Sequence, residues 1–210
     1  MTQFSFEVRK VAVQRGDRLL LSDFDLAVAP QDVVHLVGPN GCGKTSLMRV
    51  MAGLVAPASG DVVWCGTALP EGRAGYYQNL AWLGHHAGLK ADLTLHENVG
   101  FDDALRRKRG EQRINTVLEA LAIHHRRDVL ARGLSAGQRR RVALARVLLS
   151  DAPLWLLDEP FANLDTTGVN YVQSLIGEHA DKGGACVFAA HQQFEMPNTP
   201  VRRLQWGESS

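Results

Sequence analysis

The chain has 210 residues, enough for one substantial domain or for one domain carrying a subdomain. Its 45% hydrophobic content can fill a core, its formal charge of +1 gives no global field toward nucleic acid or lipid, and no apolar run approaches the roughly 18 residues that span a bilayer. Cys42, Cys65 and Cys186 are isolated and lack metal-ligand spacing, and the opening residues lack a signal-peptide core, so a cytosolic protein with reduced thiols is expected.

In chain order, "FSFEV" puts Phe4, Phe6 and Val8 on one face, and "FDLAV" does the same with Phe24, Leu26 and Val28. These are half-buried strands, expected to run antiparallel and to flank the core. "VVHLVG", Val33 to Gly38, is a buried strand rich in β-branched residues. It runs into "GPNGCGKTS", which fits G-x-x-x-x-G-K-T with Gly38, Gly43, Lys44 and Thr45 at the fixed places. Gly38, Pro39, Asn40, Gly41, Cys42 and Gly43 let the backbone curl so that several N–H groups point into one concavity. With a helix N-terminus behind it at Lys44, Thr45 and Ser46, that concavity suits phosphate oxygens. Lys44 is placed to reach the β- and γ-phosphates, and the Thr45 hydroxyl to hold Mg²⁺. "TSLMRVMAGL" follows with Leu47, Val50, Met51 and Leu54 at helical spacing. Strand, glycine loop and helix together predict a nucleoside triphosphate site.

"DVVW", Asp61 to Trp64, is a further short strand. From about Gly88 to Leu149 a helical insertion is expected: Thr94 with Glu97 makes a capping box, and Ile114, Val117, Leu118 and Leu121 form one stripe. "LSAGQRRRVALARVLL" starts another helix, with Ser135 and Gln138 as a capping box and Val142, Ala145 and Leu149 as its apolar stripe. Physics alone reads this as a well-capped helix, although a serine, Gly137 and a helix start also make an anion site. "LWLLDEP" is an apolar strand ending in two carboxylates, where ligands bind in an open α/β sheet. Asp158 is placed to hold Mg²⁺, and Glu159 to orient or deprotonate water. "ACVFAAH" is a strand ending at His191, and "VRRLQW" a last edge strand.

The order of these motifs resembles the ATP-binding-cassette (ABC) ATPases over essentially the whole chain. "LSAGQ" (Leu134, Ser135, Ala136, Gly137, Gln138) is similar to the family's signature, "NLD" with Asp165 to its D-loop, and His191 to its switch histidine. The resemblance implies an α/β P-loop NTPase fold of ABC type: one domain over residues 1–210, with a mostly parallel core sheet, an antiparallel β subdomain and a helical subdomain at about 88–149. It implies catalytic Lys44, Glu159 and His191, Mg²⁺ at Thr45 and Asp158, and a head-to-tail homodimer. Each ATP then lies between one subunit's Gly38–Thr45 loop and the other's Ser135–Gly137 helix start.

Two positions depart from the broad family pattern. Arg15 precedes Gly16 where an aromatic residue often stacks on adenine. Gly84-His85 stands where a glutamine near Mg²⁺ is usual, with His86 and Gln78 as rivals for that place. These departures, the short length, "LGHHAGLK" and "APLWLLDEPFANLDTTG" resemble the CcmA family of cytochrome c biogenesis ATP-binding proteins, the haem exporter ATPases. That resemblance implies an integral-membrane partner, CcmB, with CcmC and CcmD and the haem chaperone CcmE, at the cytoplasmic face of a bacterial inner membrane. His85, His86, His124 and His125 read as loop and surface histidines rather than a haem site. The alternatives are the ATPase of another importer or exporter, and a nucleic-acid-associated ABC ATPase. The latter would use the basic runs Arg106–Arg109, His124–Arg127 and Arg139–Arg141, which are expected to be solvated.

Overall fold

The computed structural model describes residues 4–106, 110–191, 195–196 and 199–205. The elements begin with β1 (Phe6–Arg15), β2 (Arg18–Val28), β3 (Val33–Val37), α1 (Lys44–Met51), β4 (Ser59–Trp64), β5 (Thr67–Ala68), α2 (Arg73–Gln78) and β6 (Leu80–Leu83). They continue with α3 (Leu95–Arg106), α4 (Glu111–Ala120), α5 (Ala136–Ser150), β7 (Leu154–Asp158), α6 (Thr166–Asp181), β8 (Ala185–Ala190) and β9 (Arg202–Gln205). Two sheets organise them. One is antiparallel in the order β2-β1-β4-β5; the other runs β6-β7-β8-β3-β9 with every neighbouring pair parallel. No helix among the described residues is long and apolar enough to cross a membrane.

β3, β6, β7 and β8 are apolar at nearly every position because both faces are covered, whereas the edge strand β9 is polar and largely exposed. Val34, Leu36, Leu154, Leu156, Val187 and Ala189 face α1 and the antiparallel sheet, packing with Phe6, Val8, Leu47 and Met51. Their neighbours Val33, Trp155, Leu157 and Phe188 face the helices, packing with Val142, Ala145, Leu149, Val172 and Ile176. The same body includes Leu95, Val99, Ile114 and Leu118 from α3 and α4, so the expected helical stripes are core. Thr94 and Glu97 form the expected capping box: Thr94 N–H donates to the Glu97 carboxylate at 2.8 Å, and Glu97 N–H to Thr94 Oγ1 at 3.1 Å.

Several elements differ from the expectation. β1 runs on past Val8 through an irregularity at Lys10, whose φ is 46°, so its buried face resumes at Val11 and Val13. α1 ends at Met51, and Leu54, expected on its buried stripe, is 54% exposed. Gly53 at φ 68° takes the left-handed turn that stops the helix and swings Leu54 outward. Trp206, at the end of the expected last strand, and the side chains of the basic run Arg106–Arg109 lie outside the described residues. β9 itself takes the sheet edge beside β3.

Candidate functional site

β3 delivers the glycine loop to the carboxyl end of the parallel sheet. Gly41 (φ 81°) and Gly43 (φ 111°) adopt left-handed conformations that a side chain would resist, so the chain curls before α1 begins at Lys44. Lys44 is buried, and its Nζ donates to the carbonyls of Gly38 at 2.6 Å and Pro39 at 2.9 Å. The ammonium therefore lies across the loop it belongs to. The loop opens on a cavity of about 820 Å³ that Thr45, Ser46, Asp158, Glu159 and His191 also line.

β7 and β8 are parallel neighbours with Asp158 level with Ala189, so residues far apart in sequence emerge side by side. Asp158 is 1% exposed; its Oδ1 accepts from Thr45 Oγ1 at 3.3 Å, while its Oδ2 is buried with no hydrogen-bond partner among the described residues. Burial pushes the Asp158 carboxyl above the usual carboxylate range, opposed by the Thr45 hydrogen bond. A buried, unsatisfied carboxylate oxygen beside a hydroxyl is an all-oxygen donor pair, which suits Mg²⁺. Glu159 has φ 54°, uncommon for a glutamate, and its N–H donates to Ala189 O at 2.8 Å. Its Oε2 lies 3.3 Å from His191 Nδ1. The structure thus brings together Lys44, Thr45, Asp158, Glu159 and His191.

It does not bring Leu134–Gln138 to them. None of these signature residues lines the cavity among the described residues. Ser135 is exposed and caps α5: Gln138 N–H donates to Ser135 Oγ at 3.2 Å, and Ser135 N–H to Gln138 Oε1 at 2.9 Å. Gly137 lies against the loop after β7, where an added Cβ would stand 2.7 Å from the Asn163 carbonyl oxygen. Asp165 caps α6, accepting from Gly168 N–H at 2.9 Å.

His85 and His86 are both exposed, and both line the cavity, with ring centroids 5.2 Å apart. Gln78, their rival, is exposed on α2 and does not line it. Arg15, Arg18, Arg49 and Leu54 also line the cavity. His124 and His125 sit in a short 3₁₀ turn, half-buried and exposed respectively.

The run Arg139–Arg141 corrects an expectation. Arg140 is only 4% exposed, and its guanidinium donates to the backbone carbonyls of Gly84, Asp158 and Glu159. Arg141 donates to the Leu121 carbonyl and to Asp165 Oδ1, both at 3.1 Å. Arg140 is thus engaged inside the protein, and Arg141 is half-buried and paired at the surface. The carbonyls left open at the end of β7 recruit Arg140, and a charge run read locally gives no sign of this. His35 lies inside the apolar strand β3. It is fully buried, stacks on Phe188 at 4.4 Å, and burial lowers its pKa to about 4, so the ring is neutral.

The ABC transporter family matches residues 21–162. A cytochrome c biogenesis ATP-binding export protein CcmA of Mannheimia succiniciproducens is 43% identical over 199 residues, covering 94% of this chain and 92% of that protein. The CcmA of Methylococcus capsulatus is 44% identical over 183 residues, covering 87% of this chain and 88% of that protein. Among solved structures, an ATP-binding subunit of an ABC transporter superposes with a TM-score of 0.80 at 24% identity, over 89% of this chain and 79% of that one. A bacterial Atm1-family ABC exporter with ATP bound does so at 0.83 and 23% identity, over 99% of this chain and 38% of that one. The matched span, the glycine loop and the paired carboxylates agree, and the chain belongs to the ABC transporter family as an ATP-binding subunit related to the CcmA proteins.

Proposed function

We propose that this chain is the ATP-hydrolysing subunit of a membrane ABC complex serving c-type cytochrome biogenesis. It acts as a homodimer with two shared ATP sites. The observation that carries the reading is the meeting of Lys44, Thr45, Asp158, Glu159 and His191 on one cavity, in a relative of CcmA. The N–H groups of the 38–46 loop and the start of α1 receive the phosphates. Lys44 exchanges its carbonyl partners for the β- and γ-phosphates. Thr45 and Asp158 would hold Mg²⁺, which would supply positive charge to offset that of the phosphates. Glu159 orients the attacking water and accepts its proton, and His191, beside it, steadies the Glu159 carboxylate and the γ-phosphate oxygens. The catalysis asked of these residues is mostly positioning and charge neutralisation.

Because Ser135–Gly137 stand outside the chain's own cavity, the α5 N-terminus is free to close the site of a second copy. Asp165, on the loop touching Gly137, carries news between the two sites. A membrane subunit, CcmB, receives the motion at the cytoplasmic face, with CcmC, CcmD and CcmE in the assembly. The work done is haem export or release of the haem-loaded chaperone. Lys44→Ala tests this. It should abolish holocytochrome c formation in cells while the protein still folds and joins the membrane complex; a variant that supports maturation would overturn the motor assignment.

A further inference from the structure

α5 carries two kinds of contact on one rigid helix. Its N-terminus holds Ser135, which is exposed, and Gly137, which is half-buried against the Asn163 carbonyl. Within its second turn, Arg140 turns inward and is the one buried arginine among the described residues. Arg140 Nη1 donates to the Gly84 carbonyl at 2.8 Å, and Nη2 donates to the Asp158 and Glu159 carbonyls. One guanidinium therefore ties the helix to the end of β7 and to the residue that follows β6. Gly84 leads directly into His85 and His86, which line the nucleotide cavity.

Glu159 gives this contact its significance. A glutamate at φ 54° persists only where its surroundings hold it there. Its N–H is held by Ala189 O at 2.8 Å; its carbonyl accepts from Ala162 N–H at 3.1 Å and from Arg140. Without the guanidinium, the carbonyl side is held by one weak turn bond. Arginine is the residue type this place needs, because its planar fork sends donors in two directions at once. A lysine ammonium is a point charge, and a glutamine amide carries one NH₂ group. Neither reaches the Gly84 side and the Asp158–Glu159 side together. The charge is tolerated in the interior because the Asp158 and Glu159 carboxylates lie close by.

We propose that Arg140 is a positioning residue for ATP hydrolysis, fixing the Glu159 backbone and the 84–86 loop to α5 so that the chain's catalytic end and the helix N-terminus move as one body. This rests on the ATPase reading of the same site. A purely space-filling arginine would instead affect the whole fold and nucleotide binding together.

The test compares the full-length parent with Arg140→Lys, which keeps the charge and loses the fork, and Arg140→Gln, the alternative should the lysine variant not fold. Amide exchange without nucleotide should speed up at least about fivefold in segments 83–88 and 158–163, and stay unchanged in 33–37 and 185–190. ATP affinity should stay within about threefold of the parent, while kcat falls about tenfold or more. Unchanged exchange in 83–88 and 158–163 overturns the proposal. So does protection lost throughout the sheet, or affinity and kcat falling in parallel, or parental kcat. If exchange changes as expected but the parent itself does not hydrolyse ATP, the ATPase reading falls and the anchoring of Glu159 and Gly84 by Arg140 stands.

Discussion

Gly137→Ala puts one methyl group into the contact between α5 and the loop after β7. The added carbon would stand 2.7 Å from the Asn163 carbonyl oxygen, a backbone atom that cannot rotate away. Ordinary contact needs about 0.7 Å more at the least, so the loop or the first turn of α5 must move. The helix start is pinned by its capping box, and Asn163 already sits at φ 61°, so neither side yields freely. Overpacking of this kind costs about 1–3 kcal/mol. For a chain of 210 residues that corresponds to a midpoint lower by roughly 2–10 °C. Gly75→Ala is the control: Gly75 lies within α2 with nothing within 4 Å of an added Cβ, and alanine there should be neutral or stabilising by about 0.5–1 kcal/mol. Thermal unfolding of both variants, with ATP affinity and turnover, makes the comparison. Gly137→Ala should keep its ATP affinity, because Gly137 does not line the cavity, and should lose turnover. A Gly137→Ala protein as stable and as active as the parent would refute the argument. The same contact means that Gly137→Asp disturbs the chain's own loop before any partner's phosphate is considered.

Two further outcomes are expected. His35, with its pKa lowered to about 4 by burial, binds its proton more readily in the unfolded chain, so its contribution is intact above pH 6.5 and is lost as pH falls toward 4. Between pH 7 and pH 5 the parent should lose about 2 kcal/mol more stability than His35→Leu; parallel denaturation curves across that window would contradict it. His85→Ala should keep ATP binding but uncouple hydrolysis from cytochrome c maturation, with His85→Gln retaining much of both, measured as ATPase rate in the membrane complex beside holocytochrome yield. If His86→Ala shows that loss and His85→Ala does not, the contact belongs to His86.

What the sequence revealed follows from how local each signal is. The glycine loop, the acidic strand end and the capping boxes at Thr94 and Ser135 are encoded within a few residues, and the structure has each in place. β6 has no signal in the sequence because "LAWL" is four apolar residues between Asn79 and Gly84, too short to show a period, and only pairing with β7 makes it a strand. α6 has no expectation attached to it because Asp165 resembles a loop residue, and that same aspartate is the helix's N-cap. Arg140 was invisible for a different reason. Its neighbours Arg139 and Arg141 make it look like part of a solvated face, and the carbonyls that draw it inward lie at the ends of β6 and β7, outside the run itself. Leu54 failed in the opposite direction: its spacing fits the α1 stripe, but the helix stops at Met51, three residues short of it.

The central claim is that Glu159 and the residues around it hydrolyse ATP. The direct measurement is phosphate release from Mg-ATP by the purified chain and by Glu159→Gln, with nucleotide retention and elution volume followed on the same samples. The account predicts turnover by the parent, and in Glu159→Gln bound ATP, a nucleotide-dependent dimer and phosphate release lower by about a hundredfold or more. Parental turnover by Glu159→Gln would contradict it.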